Sequence, residues 1–293
     1  MSVSGILNLN KPAGVTSRDV VNVVQRLAGR QTRAGHAGTL DPLARGVLVV
    51  PVGPATRLIE YVQQMPKTYR AQFLLGHRSD TEDTDGEVTP LGSPPIPTEE
   101  EIRGVLPRFV GRILQRPPAY SALRVAGQRA YDLARRGKQV ELAPREIVVY
   151  QITLDAYDYP YLDLTIQCGS GTYVRSLGRD LAESLGTAAV MSSLERTAVG
   201  PFRVEEAISP DSLTQENWIA ALLPPAMAVS HLTRLTLDDE AARRIRNGLT
   251  ISRPQGIDPA ADTVAVDQSE RLIGILTGGE QNCLRVKRNF PTQ

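Results

Sequence analysis

The sequence predicts an α+β fold, with a mixed, largely antiparallel sheet, flanking helices and a small β-rich terminal domain. Three observations carry this reading. Strand-like and helix-like apolar patterns alternate irregularly, without the strand–helix repeat of a doubly wound parallel fold. Ile147–Ala156 and Tyr161–Cys168 follow one another as a meander. After Pro224-Pro225 the chain carries mainly short strand patterns. A length of 293 residues favours one large domain and one small one, and the boundaries read as 1–229 and 230–293.

The elements follow in order. Ile6 to Asn10 alternates as a short strand, Lys11-Pro12-Ala13-Gly14 turns, and Thr16 or Ser17 caps a helix carrying Val20, Val21, Val24 and Leu27. Val47–Val52 is an apolar run between Gly46 and Gly53 that suits a buried strand, and Tyr69–Leu75 is a second candidate. Leu91–Pro97 connects to a helix opened by the capping box of Thr98 and Glu101 and ending near Pro107. Gln128–Arg136 reads as helical, with Ala130, Leu133 and Ala134 on one side. Val174, Leu177, Leu181 and Leu185 mark a further helix that Gly186 stops. Short strands close the chain at Thr263–Asp267, Leu272–Leu276 and Cys283–Val286.

Composition narrows the function classes. Hydrophobic residues make up 41% and charged residues 22%, values of an ordinary globular chain. The net charge of +1 hides an uneven distribution. Acidic residues gather from Asp80 to Glu101, and a basic run from Arg103 to Lys138 includes Arg116, Arg124 and Arg129. Such a run is either a solvated surface or a face for a polyanion. Cys168 and Cys283 have no CxxC spacing, and the three histidines show no ligand spacing. Asp80, Asp83 and Asp85 fail the calcium-loop pattern, since its first and twelfth positions would be Thr81 and Gly92. No nucleotide-binding glycine motif occurs, so neither a metal nor a cofactor is expected. No apolar run reaches membrane-spanning length and the N-terminus lacks a signal pattern, which points to a cytoplasmic protein without membrane contact.

Gly35-His36-Ala37-Gly38-Thr39-Leu40-Asp41-Pro42 sets one carboxylate among small residues, in a loop that another backbone can approach closely. By itself this pattern also fits an Asp-Pro turn.

Larger blocks decide between those readings. Leu9-Asn10-Lys11-Pro12-Ala13-Gly14-Val15-Thr16-Ser17 and Gly35 to Gly46 resemble the first two motifs of the TruB family of tRNA pseudouridine synthases. Lys67-Thr68-Tyr69-Arg70, Gln115 to Leu123, and Gly171-Thr172-Tyr173-Val174-Arg175-Ser176-Leu177 resemble later ones, in the same order. The likeness is strong over residues 5–210, and Leu237–Phe290 more loosely resembles the family's PUA-type RNA-binding domain.

The resemblance implies the pseudouridine synthase fold, isomerisation of uridine at position 55 in the tRNA T loop, and a set of roles. Asp41 becomes the nucleophile, able to add to the base or the sugar and leave again. Arg175 becomes its ion-pair partner, because a carboxylate in a dry pocket needs a cation to stay ionised. Tyr69 stacks on the target base. His36 fills the space left by the flipped uridine, and Lys11 supports the loop or a phosphate. Residues of about 115–140 become an RNA-clamping thumb, in which Arg116, Arg124 and Arg129 contact phosphates, and Tyr173 lies in the substrate site. The implied partner is the T-arm stem-loop, bound by a monomer without an obligatory protein partner.

The chain departs from the family pattern at Asn10, Ser79, Gly169-Ser170 and Glu195. Two rival functions stay open on sequence: a non-catalytic RNA-binding or RNA-folding protein on the same scaffold, and a guide-dependent ribosomal-RNA enzyme that needs partner proteins.

Overall fold

The structure is a computed structural model that describes residues 3–121, 124–125, 128–129 and 142–290. The chain has an α+β architecture and divides into two compact units: Met1–Asp41, Gly46–Met65 and Val199–Gln293 form one, and Pro42–Arg45 with Pro66–Ala198 form the other.

In the first unit β1 (Gly5–Lys11) pairs antiparallel with β2 (Arg45–Val52), Leu7 facing Val50 and Leu9 facing Leu48. Helix α1 (Ser17–Ala28) begins at Thr16, whose hydroxyl accepts from the Asp19 amide while the Asp19 carboxylate accepts from the Thr16 amide. This capping box satisfies amides that the first turn leaves open. Val20, Val21 and Val24 of α1 pack on Leu7, Leu9, Leu48 and Val50. The opposite strand face, with Ile6, Val47 and Val49, meets a second core that includes α2 (Ile59–Gln64) and C-terminal residues. Burial on both faces explains why β2 reads as a continuous apolar run and not as an alternation.

The second unit is built on β3 (Lys67–Leu75), β9 (Arg145–Asp158), β10 (Tyr161–Cys168) and β11 (Ala189–Val199), with edge strand β6 (Gly111–Gln115). Their order in one sheet is β11–β3–β10–β9–β6. Two short pairs stand apart from it: β4 (His77–Arg78) with β5 (Thr89–Pro90), and β7 (Arg124–Val125) with β8 (Gln128–Arg129). Helix α3 (Glu99–Val105) starts at the expected capping box of Thr98 and Glu101. Helix α4 (Val174–Ser184) packs so closely on β3 that a Cβ at Gly178 would lie 2.0 Å from Phe73 Cε1. Glycine is therefore the residue that fits there. Gly186, at φ 74, ends the helical region as the sequence predicts.

The expected helix over Gln128–Arg136 is corrected at its start. Gln128 and Arg129 are a strand, paired with Val125 and Arg124; residues 130–136 lie outside those described. A hairpin satisfies backbone groups by cross-strand bonds that helical periodicity does not reveal.

Returning to the first unit, β12 (Phe202–Arg203) is followed by a five-stranded sheet and helix α5 (Asp239–Arg246). The strands are β13 (Thr233–Thr236), β14 (Ile251–Ser252), β15 (Thr263–Val266), β16 (Leu272–Gly278) and β17 (Cys283–Asn289), in the order β13–β15–β16–β17–β14. The β13–β15 pair is parallel and the other pairs are antiparallel. Ala228 and Val229, just after the Pro224-Pro225 step, are buried with Val264 and Ile275. Among the described residues no helix is long and apolar enough to cross a membrane.

Candidate active site

Asp41 ends a segment held along its whole length. The Gly35 amide donates to the Pro51 carbonyl and the Ala37 amide to the Val49 carbonyl, so the chain runs beside β2. Gly38, at φ 122, takes the turn in the left-handed region. The buried Ser17 hydroxyl then binds Leu40 twice, accepting from its amide at 2.8 Å and donating to its carbonyl at 3.0 Å. Ser17 is the first residue of α1, so the Thr16 cap that places the helix also places Leu40. Asp41 follows, half-buried, on an anchored backbone.

Lys11 is completely buried, against the solvated default for a lysine, and its ammonium donates to the Pro12 and Val15 carbonyls at 2.9 and 2.6 Å. The side chain thereby organises the turn leading to the Thr16 cap. His36 is half-buried within the same unit, between the two backbone bonds to β2.

In the second unit Tyr69 is 8% exposed and lies opposite Ile166. Strand alternation puts its ring on the face shared by Lys67, Ala71 and Phe73, where α4 packs. Lys67 is buried opposite Cys168. Burial, reinforced by the Arg196 charge, pulls its ammonium from the usual 10.5 down to about 8, while burial pushes the Cys168 thiol up to about 11. Because the folded value for Lys67 lies below the unfolded one, the unfolded state holds more protons between the two, and this residue's contribution to stability rises with pH from about 8 upward. The difference in unfolding free energy between the native chain and Lys67→Met should therefore climb by roughly 1 kcal/mol per pH unit above about pH 8. Urea denaturation at about pH 7.5, 8.5 and 9 reads this below most of the Cys168 window, and a flat difference refutes it.

Arg175 opens α4 and is 6% exposed. Its guanidinium pairs with Asp83 at 3.3 Å and donates to the Thr81 carbonyl at 2.6 Å and the Tyr120 carbonyl at 3.1 Å. Asp83 is equally buried and accepts from the Thr81 hydroxyl and the Asp85 amide. One turn further along α4, Arg179 pairs with Glu82 and Asp180 and donates to the Arg116 carbonyl at 2.8 Å. Glu82 also accepts from the Ser176 hydroxyl at 2.6 Å. Burial holds its carboxyl above the usual carboxylate range, with Arg179 pulling the other way. Its backbone sits at φ 62, a left-handed conformation costing a non-glycine residue on the order of 1 kcal/mol. The contacts of its side chain hold it there. A cavity of about 620 Å³ opens beside this network, lined in part by Arg78, Thr81, Glu82, Tyr120 and Arg179, and its size suits a nucleotide-sized group.

Of the expected site residues, the structure thus gathers Arg175, Tyr173 and the Arg116 backbone at the start of α4. The Arg116 side chain is exposed. Arg124 and Arg129 face each other across the β7–β8 pair. Asp83, Glu82, Arg179, Gln115 and Lys67 escaped the sequence reading as site residues. Asp83 looked like one member of an exposed acidic run, and its partner lies far downstream. Glu195, a departure from the expected pattern, pairs with Arg45 at 3.2 Å and so ties down the end of the segment that follows Asp41.

Comparison with known proteins agrees with this framework. Residues 25–174 match the family model described as TruB family pseudouridylate synthase, N-terminal domain. A protein of Dehalococcoides mccartyi named tRNA pseudouridine synthase B is 44% identical over 266 residues, covering 89% of this chain and 88% of that protein. One of the same name from Geobacter sulfurreducens is 40% identical and covers 98% of this chain and all of its own length. Among solved structures, a chain of a Cbf5–Nop10–Gar1 complex superposes with a TM-score of 0.74 at 26% identity, over 98% of this chain and 85% of its own. A chain of an H/ACA RNP bound to a substrate RNA containing 2′-deoxyuridine gives the same TM-score at 25% identity, over 98% of this chain and 85% of its own.

Proposed function

The chain belongs to the TruB family of pseudouridylate synthases, and from that premise we propose that it converts the uridine at position 55 in the T loop of tRNA to pseudouridine, with Asp41 as nucleophile. It is an enzyme of the tRNA pseudouridine synthase class, an isomerase acting on uridine in tRNA.

Uridine and pseudouridine have the same atoms, so the reaction balances without an external reagent. The bond from C1′ to N1 breaks, the uracil turns, a bond forms from C1′ to C5, the C5 proton leaves and N1 gains one. Asp41 adds to base or sugar and is released, dividing one hard step into easier ones. Tyr69 stacks on the extruded base and Arg175 supplies the positive charge that keeps the Asp41 carboxylate ionised. His36 occupies the gap in the loop, and Lys11 supports the segment before Asp41. Arg116, Arg124 and Arg129 grip phosphates, which makes binding salt-dependent. Residues 230–293 act as a PUA-like RNA-binding domain beside a catalytic domain of residues 1–229. The enzyme works in the cytoplasm as a monomer, without a cofactor or protein partner.

The observation that carries this reading is the anchored Leu40 backbone directly before Asp41, in a chain whose relatives match it nearly end to end. Its test is to incubate the purified chain alone with unmodified T-arm transcripts carrying single base changes and to map pseudouridine by chemical reactivity. The expected product lies at position 55 and is lost when that uridine is replaced. Product only in the presence of added proteins or guide RNA would favour the guide-dependent reading, and binding without product the non-catalytic one.

A further inference from the structure

The basic segment that enters after Gln115 is flanked by two residues that close on one short stretch of backbone. At its start, Gln115 is fully buried, and its side-chain amide donates to the Tyr173 carbonyl at 3.0 Å while its oxygen accepts from the Tyr173 amide at 2.9 Å. At its end, the Arg145 guanidinium donates to the Gly171 carbonyl and stacks over the Tyr173 ring, 5.0 Å from its centre. Two further contacts run the same way: the Arg116 carbonyl accepts from Arg179 and the Tyr120 carbonyl from Arg175. Both ends of the basic segment thus hold the stretch Gly171–Tyr173, and its start also holds the first turns of α4.

A tyrosine whose backbone is held by a reciprocal amide pair and whose ring lies under a planar cation has little freedom to shift. We propose that Gln115 and Arg145 are positioning residues that transmit RNA contact made by the basic segment into the placement of Tyr173 and Arg175. Gln115 stands at one end of the segment and Arg145 at the other, and among the described residues these are the side chains that bond the Gly171–Tyr173 backbone. The inference rests on the reading that Arg175 serves Asp41 and that the basic segment meets RNA.

The test measures single-turnover conversion and RNA affinity separately, using the full chain. Gln115→Leu and Arg145→Lys should each lower the rate at saturating RNA about tenfold, with the dissociation constant within about threefold of the native value. The triple variant Arg116→Gln, Arg124→Gln, Arg129→Gln should lose affinity and also saturated rate. Adding Gln115→Leu to it should cost no further rate, because both changes interrupt one coupling. Multiplying losses, native rates in Gln115→Leu and Arg145→Lys, or a triple variant that loses affinity alone would each overturn the proposal. Circular dichroism checks folding, and Arg145→Lys carries the test should Gln115→Leu fail to fold. Asp41→Asn in the same assay separates the two levels: turnover by that variant faults the underlying reading, whereas its inactivity beside unaffected clamp variants faults the clamp.

Discussion

Asp41→Asn is expected to lower single-turnover conversion of tRNA by at least ~10³-fold while leaving RNA affinity within about threefold. Asparagine has the shape of aspartate but cannot add to a base or sugar and leave again. Leu40 is held through its own amide and carbonyl by Ser17, and the preceding segment is held by the Gly35 and Ala37 amides on β2, and the substitution touches none of these bonds to the loop backbone. Rapid-quench conversion assays beside a filter-binding titration read the two quantities independently. Comparable conversion by the Asn variant would remove Asp41 from the nucleophile's role, and a parallel collapse of affinity would make it a binding residue.

Arg175→Met should lose both stability and conversion. Arg175 and Asp83 are each 6% exposed, and removing one partner of a buried pair leaves an uncompensated charge at a cost of about 3–5 kcal/mol. The Thr81 and Tyr120 carbonyls also lose their donor. Urea unfolding should show the loss, and the double variant Arg175→Met, Asp83→Leu should recover much of it, since apolar side chains of similar volume replace a buried pair at little cost. Conversion should stay absent in the double variant. Recovery of conversion together with stability would mean that Arg175 acts only as a structural partner of Asp83.

These two residues were legible in the sequence for different reasons. Asp41 stood in a loop of small residues that read locally as either a turn or a site, and the order of the motifs favoured the site. Arg175 was legible as an arginine opening a helix, since Gly171 before it and Gly186 after it bound the helical pattern. What surrounds Arg175 was not legible. Asp83 and Glu82 sit in an acidic stretch whose composition is that of a solvated loop, yet Asp83 is buried and Glu82 half-buried against α4. Gln115 stood in the sequence only as the first residue of a motif, and its reciprocal bonds with Tyr173 join positions 58 residues apart with β9 and β10 between them. Strand β11 has no clean alternation, because Val190 and Met191 are buried side by side.

The sequence by itself determined the α+β class, the capping box at Thr98 and the buried strand β2, and its motif order singled out Asp41, Tyr69 and Arg175. Each of these follows from short-range rules of periodicity, capping and turn chemistry, or from motif order, all readable along a line. Only the tertiary structure decided that Thr16 and not Ser17 caps α1, that Lys11 is buried within its own turn, that Arg175 pairs with Asp83, and that Gln128 and Arg129 form a strand. It also decided that Gln115 and Arg145 close on Tyr173 from the two ends of the basic segment. Ion pairs and side-chain hydrogen bonds are short-range in space and indifferent to distance along the chain, so their partners emerge only when the sheet and α4 bring remote segments within a few ångströms.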